Sequence, residues 1–391
     1  MKSIILPTLS FILIFSSCNS GNSKRSDNYD LPYRIDVEKN ISNVKSVPLS
    51  SIGNKLEYIA LETTSESMLA RASNIKMTDS FIFVSDGAKI LEFDKNGRYI
   101  RKIGTQGRGP GEYLNLCDFC IDRSAGRIYI LDEMALLVYD FEGKFIESAR
   151  LPFFSLHFVL KDPGNLIYYS TNMPGPSTDS VFSWYGTDVH GKNLIKFENF
   201  HKRINRGAPL GTSPIYTYIG IAHFMEFGSD TLLFLKKSKP EPYAIFDFGN
   251  LKMDPDPDIL VPSREEAFNR LKLKFWPLII NEDKSNIFVT YVWGFSSTMN
   301  MSIFNKKTSE TIFLENNGFV NDLDGVLPFW PRYIDNNNIL VDQADAFNLI
   351  KRISEIKSSD TTDKTSKMTE QLELLSKQLT ENSNPVLIVL K

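Results

Sequence analysis

The sequence predicts an all-β fold, a six-bladed β-propeller made of four-stranded antiparallel blades. Short segments rich in β-branched and aromatic residues recur from residue 56 onward, each bounded by Asp, Asn or Gly. One of them, FIFVSDGAKILEFDKNGRYI (81–100), aligns without a gap with RIYILDEMALLVYDFEGKFI (127–146). A repeat of about this length that consists only of strands is typical of propeller blades.

The repeat also locates the first three blades. The alignment places Asp94 over Asp140 and Gly97 over Gly143, in a D-x-x-G turn that recurs at Asp188. In such a turn the Asp side chain bonds the backbone two residues on, and Gly takes the positive φ that closes a bulged hairpin. The blades are therefore predicted at 74–103, 116–150 and 157–197.

The remaining blades are less regular. Strand patterns predict a fourth blade at 216–249 and a fifth at 276–314. The sixth is predicted from both ends of the domain, with 329–341 and the PVLIVL segment (385–390) joined by the early strand 56–61. Ring closure by strands from both ends removes the exposed edges that an open sheet would present.

A helical insertion is predicted over 354–383, before the ring-closing strand. Its residues are mostly polar, with apolar side chains at helical spacing: Met368, Leu372, Leu375 and Leu379. We expect this helix to pack against the propeller, the alternative being a helix that binds a partner. The propeller domain as a whole is predicted to span 46–391.

The N-terminus has the pattern of a secretory signal peptide over residues 1–17. Lys2 is followed by an apolar run and then by Phe15-Ser16-Ser17-Cys18, which is similar to a bacterial lipobox. This predicts cleavage before Cys18 and lipidation of its thiol, hence a membrane anchor rather than a membrane span. The alternative is plain secretion with a chance cysteine. Residues 18–45 are predicted to form a flexible tether.

Composition restricts the classes of partner and cofactor. The net charge of −3 and the isoelectric point near 5.9 argue against nucleic-acid binding, which favours clustered Lys and Arg and a basic balance. Cys117 and Cys120 are spaced C-x-x-C, but no second ligand pair for zinc exists and the segment alternates like a strand. We expect two plain thiols rather than a redox or metal pair, and we predict no metal and no cofactor.

The lipobox, the stretch ILEFDKNGRYIRKIGTQGRGPGEY, and the later YAIFDFG (243–249) and LPFWPRYI (327–334) together resemble a family of Bacteroidetes lipoproteins. These are six-bladed β-propellers related to the NHL-repeat propellers. The resemblance covers about 45–391, and G-x-G-P-G-E-Y is its most specific part. It implies the propeller fold and an envelope location, with outer-membrane anchoring, but no reaction or ligand.

The glycine-rich stretch IGTQGRGPGEYLNL (103–116) raises the possibility of a phosphate-binding loop. A P-loop requires Lys and Ser/Thr after its last glycine, and a dinucleotide fingerprint requires G-x-G-x-x-G at the start of a helix. Neither requirement is met, since Pro110 interrupts the glycines and a strand follows. We interpret the stretch as the connection between the first two blades.

Blade geometry then sorts the loops onto two faces. Connections between blades and turns between second and third strands share one face, which we call the linker face; the D-x-x-G turns occupy the other, the turn face. Three long segments, 198–215, 250–275 and 315–330, are predicted on the linker face. Function tends to reside on the longer loops of a rigid scaffold. The candidate ligand-binding residues are therefore Asp86, Arg108, Glu112, Tyr113, Asp132, Arg206, Asp322, Asp324, Trp330 and Arg332.

Several of these candidates have structural alternatives. Arg108 and Glu112 are expected to pair and brace their loop rather than contact a ligand. NDLDG (321–325) is similar to a calcium loop but lacks its third acidic position and distal Glu. Trp330, between two prolines, is expected in the core rather than as a platform for sugar stacking.

The leading functional hypothesis is a monomeric, lipid-anchored envelope module that binds or scaffolds a protein, peptide or glycan through the linker face. The alternatives are a propeller enzyme, a polysaccharide lyase or glycoside hydrolase with its site at the channel mouth, and a structural subunit of an envelope complex. Converging His, Arg, Tyr and acidic side chains at the channel mouth would favour the enzyme. An apolar patch without them would favour the binding module.

Overall fold

The computed structural model describes residues 31–170, 182–198, 213–226, 228–236, 239–253, 265, 269, 272–294, 299–335, 337–358 and 370–391. Within them, six sheets each contain an antiparallel four-stranded meander, and the innermost strands of successive sheets contact one another. The predicted all-β, six-bladed propeller is thus confirmed. The signal peptide, Cys18 and residues 18–30 of the tether lie outside the described residues.

The described residues start with elements on the outside of the ring and continue into the first two blades. The elements before blade one are β1 (Tyr33–Asp36), α1 (Val37–Asn40), β2 (Val44–Lys45), a 3-10 turn (Leu49–Ser51) and β3 (Leu56–Ala60). Blade one comprises β4 (Asn74–Met77), β5 (Phe81–Ser85), β6 (Ile90–Asp94) and β7 (Tyr99–Ile103). The connection holds a small pair, β8 (Thr105–Gln106) and β9 (Glu112–Tyr113). Blade two comprises β10 (Asp118–Asp122), β11 (Arg127–Asp132), β12 (Ala135–Asp140) and β13 (Phe145–Arg150).

Blades three to five repeat the meander. Blade three comprises β14 (His157–Asp162), β15 (Asn165–Tyr169), β16 (Phe182–Asp188) and β17 (Ile195–Glu198). Blade four comprises β18 (Ile215–Tyr218), β19 (Ile221–Met225), β20 (Thr231–Leu235) and β21 (Glu241–Asp247), followed by a 3-10 turn (Gly249–Leu251). Blade five comprises β22 (Phe275–Glu282), β23 (Asn286–Trp293), β24 (Met299–Asn305) and β25 (Thr311–Leu314), followed by a 3-10 turn (Glu315–Asn317).

Blade six closes the ring with strands from both ends of the domain, as predicted. Its strands, from the channel outward, are β26 (Tyr333–Ile334), β27 (Leu340–Ala344), β28 (Val386–Leu390) and β3. All five residues of β28 are buried, which explains the unbroken apolar run of this segment. The buried side chain of Asn384, just before β28, accepts from the N–H of Leu69 and donates to the carbonyls of Glu62 and Ser67.

The hairpin turns have the predicted geometry. Asp94 Oδ1 accepts from the backbone N–H groups of Asn96 and Arg98, at 2.8 and 2.9 Å. Asp140 and Asp188 accept from Lys144 and Lys192 in the same way, which confirms the third copy of the repeat. Gly97 has a φ of +86°, and a Cβ there would lie 2.1 Å from the carbonyl oxygen of Ala60. Both the turn and the close approach therefore require glycine.

The tether prediction for 18–45 needs a correction in its C-terminal part. Residues 33–36 add a parallel fifth strand to blade four through β21, and residues 44–45 pair in parallel with β25 of blade five. Ile35 and Val37 are fully buried in the cluster between these two blades. Burial of apolar surface offsets the entropy cost of ordering this segment. It also covers two outer strands that would otherwise be exposed edges.

The insertion in blade six forms two helices, α2 (Ala346–Ser358) and α3 (Glu370–Gln378). Helix α2 begins eight residues before the predicted start at 354, because it continues almost directly from β27. Leu372 and Leu375 of α3 pack with Leu349 and Ile353 of α2 against the apolar cluster of blade six. Met368 lies outside the described residues. No helix in the described part of the chain is long and apolar enough to span a bilayer.

Candidate functional site

The linker face is held together by contacts between the glycine-rich connection and the turns of the first two blades. Asp132 accepts hydrogen bonds from the backbone N–H groups of Leu114 and Asn115, at 2.8 and 2.9 Å. The hydroxyl of Tyr113 donates to the carbonyl of Ala88, beside Asp86. The structure therefore brings Asp86, Tyr113 and Asp132 together on the linker face. This is the face that their positions in the sequence predicted.

The expected pairing of Arg108 with Glu112 is not formed. Glu112 Oε2 instead accepts from the backbone N–H of Gly109 at 2.7 Å, while Arg108 is exposed and has no partner among the described residues. The carboxylate reaches this position because Gly107 has no side chain; a Cβ there would lie 2.0 Å from Oε2. Glu112 thus braces the loop through the backbone, and Arg108 is left available.

Asp86 and Tyr113 also have structural roles. Asp86 Oδ1 accepts from the N–H groups of Ala88 and Lys89, closing the turn between β5 and β6. Tyr113 is 1% exposed, and burial raises the pKa of its hydroxyl to about 12. It packs between the two blades, so its ring is not available to a ligand.

In the segment between blades five and six, the two candidate carboxylates bind protein groups. Asp322 accepts from both the N–H and the hydroxyl of Ser50, at 2.9 and 2.5 Å. Burial raises the pKa of Asp322 and the Ser50 hydrogen bonds lower it, with a net shift downwards. Asp324 is buried and accepts from the hydroxyl of Tyr58 at 2.6 Å and from Asn321 at 2.7 Å. Both side chains therefore fasten this segment to β3 and its preceding turn.

Blade six contains the cavity on this face. It has a volume of about 450 Å³ and lies between the 327–332 segment, the end of β27 and helix α2. Its lining residues are Met301, Leu327, Pro328, Phe329, Trp330, Arg332, Asp342, Gln343, Ala344, Asp345, Asn348, Lys351, Arg352 and Glu355. Two of the predicted candidates, Trp330 and Arg332, belong to this set.

Asp342 organises the inner wall of the cavity. One of its carboxylate oxygens accepts from the backbone N–H of Trp330 at 2.9 Å, and the other from Nε of Arg332 at 2.8 Å. Burial raises the pKa of Asp342, and Arg332 opposes this shift. In the same wall, the buried Oε1 of Gln343 accepts no hydrogen bond from the described residues. The cavity thus combines a fixed ion pair with an unsatisfied polar atom.

Trp330 lies in the core, as expected. It is 5% exposed, its indole N–H donates to Thr290 at 3.0 Å, and its ring stacks on Phe319 with centroids 6.2 Å apart. A ring covered in this way cannot serve as a stacking platform for a sugar. Its role at the cavity is to form part of the floor.

The channel mouth on the linker face carries a polar trio from three successive blades. Asp118, at the start of β10, accepts from the side-chain amide of Asn74 at 2.7 Å and lies 3.5 Å from Nδ1 of His157. The His157 side chain is 31% exposed. Deeper in the channel, the ammonium of Lys76 lies 5.5 Å from the ring centroid of Tyr333. Burial lowers the pKa of this lysine.

A second polar cluster is fully buried between blades four and five. Glu282 accepts from the hydroxyl of Tyr243 at 2.8 Å and lies 2.9 Å from the ammonium of Lys306, with both charged side chains at most 1% exposed. His223 lies 3.7 Å from the same carboxylate, and burial lowers the pKa of this histidine to about 3. Solvent does not reach this cluster, so it joins two blades rather than forming an open site.

The C-x-x-C pair behaves as two separate thiols. Cys117 accepts from the N–H of Glu133, while Cys120 lies on β10 in the apolar cluster between blades two and three. Burial raises the pKa of Cys117 to about 11 and also raises that of Cys120. Both are therefore protonated at neutral pH, unlike a reactive redox pair.

Some predicted features cannot be placed, and others were missed. Arg206 and most of the 198–215 and 250–275 segments lie outside the described residues. The cavity residues Asp342, Lys351 and Arg352 were not predicted. One usable indication was Asp342, which lies in the second strand of its blade, the strand that ends at Asp132 in blade two and just before Asp86 in blade one. The sequence of helix α2 contains no comparable sign of a binding site, since its polar residues resemble those of any helix that faces solvent.

Comparisons with known proteins give a family and one solved structure that shares the fold. A family model described as "Domain of unknown function (DUF4934)" matches residues 32–391. A crystal structure of a protein from Bacteroides fragilis, described as exported, aligns with a TM-score of 0.68 at 19% identity, covering 92% of this chain and 99% of that one. A DUF4221 family member from Bacteroides vulgatus aligns with a TM-score of 0.48 at 11% identity, covering 67% of this chain and 84% of its own. No curated protein matches the sequence.

Proposed function

Because the chain belongs to the DUF4934 family, for which no function is described, we propose from its geometry that it is a binding module of the cell envelope. Its partner is a protein, peptide or glycan, and the linker face is the contact surface. The single observation that carries this proposal is the cavity in blade six, a concave site with both apolar and charged walls.

Two properties of this cavity favour binding. Its inner wall is rigid, because β27 is paired on both sides and Asp342 holds both Trp330 and Arg332. Its outer wall is helix α2, which the buried side chains of Leu349 and Ile353 fix against the blade. A preformed concave site of a few hundred cubic ångströms that combines apolar surface with converging polar groups is typical of ligand sites. A rigid site also loses little conformational entropy on binding.

The envelope location is part of the proposal. It rests on the signal-peptide pattern and on Cys18, and the similar Bacteroides fragilis protein is described as exported. The expected arrangement is an acyl chain on Cys18 that holds the protein at the outer membrane. Metabolic labelling with an alkyne fatty acid checks this, since Cys18→Ala should abolish the label and release the protein from membranes. A labelled Cys18→Ala protein would contradict the anchor.

The binding proposal is tested by capture from native envelope extract, with the full chain carrying Cys18→Ala as bait. Asn348→Trp fills the cavity from the exposed side of α2, and Lys95→Trp places the same side chain on the turn face. We expect an identified protein or glycan to be captured by the bait and by Lys95→Trp, but not by Asn348→Trp. Equal capture by all three baits would contradict a role for this site.

A second candidate function, a propeller enzyme, is favoured by His157 and Asp118 at the channel mouth. A histidine beside a carboxylate is a common general base. The test is activity on envelope polysaccharides before and after His157→Ala. Product formation that depends on His157, together with capture that does not depend on Asn348, would favour the enzyme over the binding module.

A further inference from the structure

The charges around the cavity can be divided into those that the protein itself neutralises and those that it does not. Arg332 and Asp342 form one pair, and Arg352 bonds the carbonyl of Val326 and lies 3.4 Å from Glu355. Asp345 accepts from Asn348 and stands at the start of helix α2, where a negative charge is stabilised by the helix dipole. These five charges therefore have partners or a favourable place within the fold.

Two groups of donors remain. Lys351 has no hydrogen bond or ion pair among the described residues, although its side chain lines the cavity. Arg332 uses only its Nε toward Asp342, so the terminal N–H groups of its guanidinium are available. Asp342 fixes this guanidinium in place, and a fixed guanidinium loses less entropy when it binds a second anion. The lining carries three cations and three carboxylates, so the ammonium of Lys351 and the terminal N–H groups of Arg332 are donors without an acceptor among the described residues, in a cavity of no net charge.

The cavity also has an apolar floor. Met301, Leu327, Pro328, Phe329 and Ala344 belong to its lining, and Leu327 and Pro328 are the members of this set that are not buried. Met301 and Phe329 belong to the buried cluster of blade six, so this floor is firm. Ligand surface laid on it would gain roughly 25 cal/mol for each Å² removed from water. A suitable ligand therefore has one apolar side and one anionic end.

We propose that this cavity binds an organic carboxylate, with the carboxylate held by Lys351 and Arg332 and the apolar body resting on Leu327 and Pro328. This inference rests on the proposed binding function and names the chemistry of its ligand. The carboxylate has two possible sources, a small free acid or the C-terminus of a peptide. Both present the same planar anion, which a guanidinium and an ammonium bind well.

The experiment uses pairs of probes that differ only in charge. The small pair is 4-phenylbutanoate and 4-phenylbutanamide; the peptide pair is acetyl-Gly-Gly-Phe with a free C-terminus and with a C-terminal amide. Binding to the full chain is measured by isothermal titration calorimetry at low salt. We expect at least one acid to bind about tenfold more tightly than its amide, because one charge-assisted hydrogen bond contributes enough free energy for such a difference in affinity.

Variants on helix α2 provide the matched controls. Lys351→Met keeps the apolar stem of the side chain and should remove most of the acid-over-amide preference, and Lys351→Arg should restore it. Lys357→Met removes a cation from the same helix outside the cavity lining and should change nothing. The melting temperatures of all three variants verify that they are folded.

The outcomes separate this inference from the proposed function. The carboxylate inference is overturned if neither acid binds at millimolar concentration, if acid and amide bind equally, or if the preference survives Lys351→Met. In those cases the loss of partner capture in Asn348→Trp would still support the binding module. Conversely, carboxylate binding without any captured envelope partner would uphold the cavity chemistry and contradict the proposed partner.

Discussion

At the scale of single residues, three acidic side chains of the linker face are engaged mainly by backbone groups of their own or a neighbouring loop. Asp86, Glu112 and Asp132 each accept at least one main-chain N–H group. Such carboxylates satisfy donors in irregular segments that have no strand partner. Their substitution should therefore affect stability before it affects binding, in contrast to Arg108 and Lys351.

Glu112 and Arg108 provide a direct comparison. We expect Glu112→Ala to lower the free energy of unfolding by about 1 kcal/mol, because the N–H of Gly109 loses its acceptor at a partly solvated position. Arg108→Ala should change it by less than about 0.5 kcal/mol. Urea unfolding of the two variants measures both values. If neither variant loses stability but both lose partner capture, the loop is a contact surface and not a brace.

Glu92 is predicted to make stability depend on pH. Its side chain is fully buried, and burial raises its pKa to about 7, against the opposing effect of Arg101, whose Nε lies 3.2 Å away. Between pH 4.5 and 7 the folded protein keeps a proton that the unfolded chain has lost. The contribution of Glu92 to stability therefore falls as pH rises through this window and stays low above it.

Glu92→Gln should remove this dependence. At pH 8 we expect the variant to be more stable than the unchanged protein by about 1–3 kcal/mol, since a neutral amide avoids burying a charge. At pH 4.5 the two should be equally stable. Unfolding free energies measured across pH 4–8 test this, and parallel curves for the two proteins would show that Glu92 is not the titrating group.

At the scale of elements, the second-to-third strand connection distinguishes blade six from blades one and two. In blades one and two this connection is a tight turn with Asp86 or Asp132 near it, whereas blade six has helices α2 and α3. The helices raise one wall of the cavity, and the segment entering β26 forms the other. The candidate site therefore results from an insertion into one blade, not from the repeated architecture.

The polar cluster between blades four and five contains a buried ion pair within blade five, Glu282 with Lys306, on which stability is predicted to depend. Lys306→Met leaves Glu282 buried without its cation and should cost about 3–5 kcal/mol of unfolding free energy. The double variant Lys306→Met with Glu282→Gln should recover much of this loss, because neither residue is then charged. A thermodynamic cycle from chemical denaturation measures the coupling. Additive losses in the double variant would show that the two charges act independently.

At the scale of the whole molecule, most of the ring could be predicted from local patterns. Blade order could be predicted because each D-x-x-G turn closes a hairpin between two strands of one blade. Ring closure could be predicted because the unbroken apolar run of PVLIVL is typical of a buried strand. Strand β1 was missed because four alternating residues are too few to recognise, and its partner β21 is some two hundred residues away. The cavity was missed because the 327–332 and 342–355 segments contribute to it only after folding.

Ring closure leads to a prediction for the complete propeller. A chain that ends at Pro385 lacks β28, which separates β27 from β3 and buries all of its residues. We expect this chain to expose two strand edges and to aggregate, because unpaired edges recruit other strands. Size-exclusion chromatography checks this, and a synthetic peptide of residues 385–391 should restore the monomer. A truncated chain that stays monomeric and unfolds cooperatively would contradict the role of β28.

The pairing of β1 with β21 also has a consequence in time. At typical rates of synthesis the ribosome needs roughly 10–40 s to make the two hundred residues between these strands. During that interval Ile35 and Val37, which are fully buried in the folded protein, cannot be buried, because the strand of blade four that pairs with their segment has not yet been made. The earliest part of the propeller to be made is thus among the last to find its place, and it remains open to chaperones until blade four exists.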